Sequence, residues 1–349
     1  MSQLPHIESF DQLLDGRPVC LVHLQNQKGW TAAFTNYGAR LVSLLIPDAS
    51  GELINVVAGF DSLNEYLHST EYYYGATVGR YANRIANAKF SIGEKEFQLV
   101  SDYPAFCLHG GPQGFHTKVW DLESVTTDEV VFSYFSPAGE MGFPGNLTPK
   151  VIYTMTENGL RIRFEASTDQ PTICNLTHHS FFNLNGKGSI EEHQLFINAT
   201  SYLPLNEYLL PTGEIASVVD TPFDFNETTS IGKRISVDDL QLQRAGGYDH
   251  NYILRDQLDK LAAIVKGDRS GIVMKLYTDK PGLQFYTTNG LSGKNLLSNG
   301  EYDLPRSSFC LEPQFFPDSP NKPSFPSALL LPGECYQYFT ELQFSCELL

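Results

Sequence analysis

The sequence is short of positive charge, of helical periodicity and of long apolar runs. Lys and Arg number 24 against 40 Asp and Glu, a formal net charge of -16 over 349 residues. That balance argues against a nucleic-acid partner or an anionic membrane surface, and by itself names no other partner. The longest apolar stretches, 41–47 and 328–331, fall far below the roughly 20 residues of a membrane-spanning helix, so no membrane is expected. The opening stretch, MSQLPHIESFDQLLDG, has no basic segment followed by an apolar one, so no secretory signal is read there. The six cysteines are scattered without a Cys-x-x-Cys pair. We therefore expect reduced thiols in a cytoplasmic protein and no disulfide framework. There is no P-loop, no Gly-x-Gly-x-x-Gly after a strand and no internal repeat, so no cofactor is expected.

Aromatic residues make up 12% of the chain and charged residues only 18%, enough to build a large core. Strand-like runs are broken by Gly, Pro, Asn and Asp about every 8–12 residues, the spacing of an antiparallel β-sandwich. Residues 29–59 read as a β-meander. LRIRFEAS at 160–167 alternates with period two, and 273–277 and 282–287 read as late strands. Short helical or irregular pieces are expected at 62–74 and 235–243. The whole predicts an all-β fold, a large antiparallel sandwich with few short helices, as one domain over 1–349.

Polar residues cluster at turns in this apolar chain. Glu312 sits where the apolar Phe309-Cys310-Leu311 breaks into a proline-rich loop, with Phe315 and Phe316 just beyond. Desolvation there would raise its pKa and make it a stronger base; the plainer alternative is a surface Glu ending a strand. GRYANRIANAKF holds Arg80, Asn83 and Arg84 within five residues, suited either to a ligand or to bridging strands. His109 precedes Gly110-Gly111-Pro112, a turn that allows close backbone approach. In NLTHHSFFNLNG, His178 and His179 must point to opposite faces of a strand, so only one can enter a given pocket. A zinc reading fails on local spacing, and metal ligation is not expected. Asp249 lies in GGYDHNY, where an Asx-turn is the plain alternative, and Gln284 and Tyr286 share a face in PGLQFYTTN. Asn83, Arg84, His109, His179, Asp249, Gln284 and Glu312, with aromatic faces, suit a neutral sugar and acid–base chemistry. A carboxylate pair of Glu312 and Asp249, as in glycoside hydrolases, and a non-catalytic sugar binder are the alternatives.

The chain resembles the aldose 1-epimerase (galactose mutarotase) family in seven motifs that occur in the family's order: GRYANRIANAKF, LHGGPQGF, GFPGNL, NLTHHSFFNLNG, GGYDHNYIL, PGLQFYTTN, and LEPQFFPDSPN followed by LLLPGE. The resemblance runs from about residue 30 to the C-terminal end. It implies a galactose mutarotase-like supersandwich that interconverts the α and β anomers of free aldoses such as galactose and glucose. It implies Glu312 as general base and His179, followed by Ser180-Phe181-Phe182-Asn183-Leu184, as general acid. Asn83, Arg84, His109, Phe181, Asp249 and Gln284 are the implied sugar-binding set, with Arg80 as scaffold. A small-molecule sugar is the expected partner of a monomer or homodimer. The sequence departs from the family pattern at His178 (usually Asn), Phe181 (commonly Tyr) and Thr288 (commonly Gly). The last is expected to narrow the cleft.

Overall fold

The computed structural model describes residues 3–256 and 258–347. Its regular structure is mostly antiparallel strands, as the turn spacing predicts. The largest sheet has nine strands. Its centre is formed by Leu147–Thr156, Gly159–Thr168, Tyr336–Cys346 and Ile272–Thr278, each hydrogen-bonded to the next. The period-two alternation of 160–167 becomes burial of Leu160, Ile162, Phe164 and Ala166 on one face. A four-stranded sheet comprises Leu21–Gln25, Thr31–Thr35, Arg40–Pro47 and Leu53–Asn55. A five-stranded sheet contains Asp249–Leu254, Gly282–Tyr286 and Cys310–Gln314 side by side. One continuous apolar cluster takes Phe34, Phe164 and Leu283 from these three sheets.

Among the described residues there are two short α-helices, Leu63–His68 and Leu240–Ala245. The first lies within the expected 62–74 segment, and Ser62 caps it by accepting the Glu65 N–H. The second is displaced from the expected 235–243. Asp239 accepts the N–H groups of Gln241 and Leu242, and Gly246 closes the helix at φ 68°. The cap residues set these ends, because they satisfy N–H and C=O groups that a helix leaves open. Among the described residues no helix is long and apolar enough to cross a membrane. All six cysteines are free thiols, and Cys107, Cys174 and Cys310 are buried.

Three short strand pairs hang the chemistry-bearing segments on this frame. Thr177–His179 pairs with Ala76–Val78, Arg84–Ala86 with Phe106–Leu108, and Phe181–Phe182 with Val57–Ala58. The first of these strands also runs beside Cys310–Gln314. Thr177 Oγ1 donates to the Pro313 carbonyl at 2.6 Å, and the Phe315 N–H donates to Asn175 Oδ1 at 2.9 Å.

Candidate active site

Register in the five-stranded sheet lines up the first half of the site. Glu312 stands opposite Gln284, which stands opposite Asn251 on the next strand. Side chains two apart share a strand face, so Asp249 joins the same surface. Gln284 Nε2 donates to Asp249 Oδ1 at 2.6 Å, and an Arg84 nitrogen reaches Asp249 Oδ2 at 3.4 Å. The Arg84 guanidinium lies 5.2 Å over the Phe106 ring, which fixes its plane.

The second half comes from turns. Asn83 and His109 both have positive φ, 64° and 49°, a region Asn and His enter more readily than most residues. They are locked together: the His109 N–H donates to the Asn83 carbonyl at 3.0 Å, and the Asn83 N–H donates to His109 Nδ1 at 3.1 Å. The second bond decides the tautomer. With Nδ1 accepting, the hydrogen of the neutral ring sits on Nε2, and His109 offers an N–H donor. Burial, then the His179 and Arg84 charges, hold its pKa well below the usual 6.5, so the ring is neutral.

His179 Nε2 is 3.6 Å from Glu312 Oε1. Its imidazole stacks with Tyr73 (5.5 Å, 25° between planes) and with Phe181 (5.0 Å, 27°), and His109 meets it edge-on at 5.2 Å. Its neighbour His178 points away, as strand geometry requires, to Ser180 Oγ at 2.7 Å and the Tyr153 ring. His178 is buried and structural. Burial lowers the His179 pKa to about 3. Burial, then the Asp249 charge, raise that of Glu312 well above the usual 4.5, with Arg84 in opposition. Burial therefore works against the charged form of both groups and favours a neutral pair over an ion pair.

Four buried polar atoms here lack a protein partner: Glu312 Oε2, His179 Nδ1, Gln284 Oε1 and Arg84 Nε. Each would be costly in a sealed core; together they describe a surface made for a polar ligand. His109, His179 and Glu312 also bring possible metal-ligating atoms within 4.8 Å of one another, a grouping invisible to local spacing. The His109 tautomer opposes that use, because a protonated Nε2 donates and cannot ligate.

Of the expected site residues, Asn83, Arg84, His109, His179, Asp249, Gln284 and Glu312 come together, and Phe181 does not join their polar surface. Its ring has no exposed area and packs between His179 and Tyr74. It is a wall beside the imidazole: stacked on that ring at 27° and tilted at 45° against Tyr74, it has no exposed area left for a sugar. Thr288 does not narrow the cleft either: it is fully buried and its hydroxyl donates to the Ser308 carbonyl at 2.8 Å. Arg80 is scaffold, as expected, spending its guanidinium on Ser136, Pro137, Pro144 and Gly145. Sequence reasoning missed Tyr73, which contacts the rings of His109, His116 and His179. It also missed Glu71, whose pKa burial raises to about 7 and whose charge acts on Glu312. The run Tyr72-Tyr73-Tyr74 was the available signal, but without periodicity it carries no facing.

A family model described as aldose 1-epimerase matches residues 21–343. Galactose mutarotase of Bos taurus is 42% identical over 313 residues, 89% of this chain and 90% of that protein. Aldose 1-epimerase of Escherichia coli (strain K12) is 37% identical over 339 residues, 95% of this chain and 97% of that protein. Among solved structures, an aldose epimerase homologue from C. elegans superposes with a TM-score of 0.87 at 29% identity, covering 93% of this chain and 98% of its own. Galactose 1-epimerase from Lactobacillus acidophilus NCFM gives 0.85 at 30% identity, covering 97% of each chain. The fold is thus galactose mutarotase-like, and the chain belongs to the aldose 1-epimerase family of isomerases.

Proposed function

We propose that the protein interconverts the α and β anomers of free aldohexoses such as galactose and glucose, with Glu312 as base and His179 as acid. The observation that carries this is the buried His179–Glu312 pair, 3.6 Å apart, beside unpartnered hydrogen-bonding atoms. Asn83, Arg84, His109, Asp249 and Gln284 hold the sugar, with His109 Nε2–H donating near the anomeric centre.

Ring opening starts from the charged tautomer of the pair, Glu312 carboxylate and His179 imidazolium. Glu312 takes the proton of the C1 hydroxyl as C1=O forms and the bond from C1 to the ring oxygen breaks. His179 gives its proton to the departing ring oxygen. The pair is left as carboxylic acid and neutral imidazole, the form that burial favours. The C1–C2 bond rotates, and closure on the other face runs both transfers in reverse. One proton is present throughout, so apparent pKa values belong to the pair and not to either residue. A hydrolase pairing of Glu312 with Asp249 is disfavoured, since Asp249 is committed to Arg84 and Gln284. We also take the chain as one domain of a cytoplasmic monomer or homodimer; the continuous apolar cluster and the free thiols support that reading.

The test is polarimetry of freshly dissolved α-D-galactose and α-D-glucose. The protein is expected to speed the approach to an unchanged final rotation. Glu312→Gln is expected to lose about 10²–10⁴-fold in kcat while calorimetry still detects sugar binding. A fully active Glu312→Gln protein would exclude the base assignment.

A further inference from the structure

Lys280 is 4% exposed, yet it forms no ion pair with a carboxylate among the described residues. Its Nζ sits inside a box of three rings, 3.8 Å from the centre of Tyr338, 4.3 Å from Phe315 and 4.6 Å from Tyr336. It donates to the Tyr336 hydroxyl at 2.6 Å. That hydroxyl also accepts the Leu176 N–H at 2.7 Å and turns its own hydrogen towards the Leu176 carbonyl at 3.4 Å. The neighbouring Asp279 is engaged elsewhere, accepting the Phe339 N–H at 2.9 Å.

The surroundings of this box tie it to the chemistry. Leu176 precedes His179 by three residues, and Phe315 follows Glu312 by three. Between these points the two segments are joined by side chains: Thr177 to the Pro313 carbonyl, and Asn175 to the Phe315 backbone on both its N–H and its C=O. The strand carrying Gln284 begins at Gly282, two residues after Lys280. Burial lowers the Lys280 pKa to about 7. This one buried amine therefore touches the segment of His179 through Tyr336 and the segment of Glu312 through Phe315, and adjoins the strand of Gln284.

A methionine of similar length would fill the same space without desolvating a charge. Replacing a buried charge with an apolar side chain is often neutral or stabilising, so fold stability gives no reason for a lysine here. The hydrogen bond to the Tyr336 hydroxyl supplies direction, as do the ring contacts in the charged form, and dispersion contacts lack it. We infer that Lys280 is a positioning residue for the acid–base pair, holding the segments of His179 and Glu312 in register from behind the cleft. This rests on the assignment of His179 and Glu312 proposed above. Acid–base transfer is sensitive to placement, and about 1 Å of misplacement can cost about 10²-fold.

The test compares Lys280→Met and Tyr336→Phe with wild type by polarimetry and thermal unfolding, with Glu312→Gln alongside. Lys280→Met is expected to unfold at the same or a higher temperature, to lower kcat at least tenfold and to leave KM within about twofold. Tyr336→Phe keeps the ring and removes the hydroxyl link; it is expected to lower kcat with KM unchanged, and it carries the test should Lys280→Met not fold. Wild-type kcat in a folded Lys280→Met protein overturns the inference. So does a loss of kcat that tracks a lowered unfolding temperature, which would make Lys280 a fold residue only. If Glu312→Gln is inactive while Lys280→Met is fully active, the positioning role alone fails; an active Glu312→Gln removes the acid–base reading beneath it.

Discussion

His179 owes its setting to two rings as much as to Glu312. Tyr73 and Phe181 both stack with the imidazole, within 27° of parallel, an arrangement that restricts rotation about its side-chain bonds and sets two π-systems beside any imidazolium. An aromatic pair contributes about 0.5–1.5 kcal/mol beyond its buried area. Tyr73→Leu, which removes one ring, is therefore expected to lower kcat about two- to tenfold. The Tyr73 hydroxyl makes no hydrogen bond among the described residues, so Tyr73→Phe is expected to stay within about twofold of wild type. Polarimetric kcat for the two variants checks this. Equal losses in both would show that the hydroxyl, and not the ring, matters.

Turns and caps do most of the placing at the scale of the element. Gly110 follows His109 at φ 87°, and a Cβ there would lie 2.0 Å from the Gly79 carbonyl oxygen. No rotamer relieves a clash with backbone. Gly110→Ala is expected to destabilise the fold by about 2 kcal/mol or more and to lower activity by displacing His109. Asp239→Ala is the contrasting case: it removes the cap of the Leu240–Ala245 helix, for about 1 kcal/mol of stability, and should leave turnover unchanged. Denaturant midpoints and polarimetry on the two variants separate these outcomes. The same cap explains the shifted helix boundary. Apolar residues at 235–243 suggest a helix, but Asp239 and Gly246 say where one starts and stops.

The molecule as a whole carries six buried histidines whose pKa values are lowered, chiefly by burial: His116, His178, His179 and His250 to about 3, His193 to about 4, and His109 well below 6.5. The sign follows from linkage. Below about pH 6.5 the unfolded chain binds protons that the folded chain refuses, so stability is lost as pH falls from 6.5 towards 3. Glu71, raised to about 7, and Glu312, raised well above 4.5, act in the opposite sense, favouring the fold more as pH falls. Asp61 and Asp279, also raised by burial, act with them, and the six histidines outweigh these four. Each net proton taken up on unfolding removes about 1.4 kcal/mol per pH unit. The unfolding temperature is expected to fall steeply between pH 6.5 and 4.5, read by circular dichroism; a flat profile would mean that the histidines are solvated.

Sequence alone determined the class of fold, because period-two burial and turn residues are local signals, visible in LRIRFEAS and in the Gly- and Pro-rich breaks. It also determined which polar residues were candidates, since Asn83, His109 and Glu312 stand out against apolar surroundings and at turns. Strand alternation showed that only one of His178 and His179 could face the pocket, and the family resemblance pointed to His179. Tertiary structure alone decided what these groups face. The His109 tautomer depends on the Asn83 N–H, the stacking on His179 on Tyr73, and the raised pKa of Glu312 on burial and the Asp249 charge. Lys280 joins the segments of His179 and Glu312 through rings far away in the chain. Each of these depends on segments distant in the chain, through distance and desolvation, neither of which a linear pattern encodes.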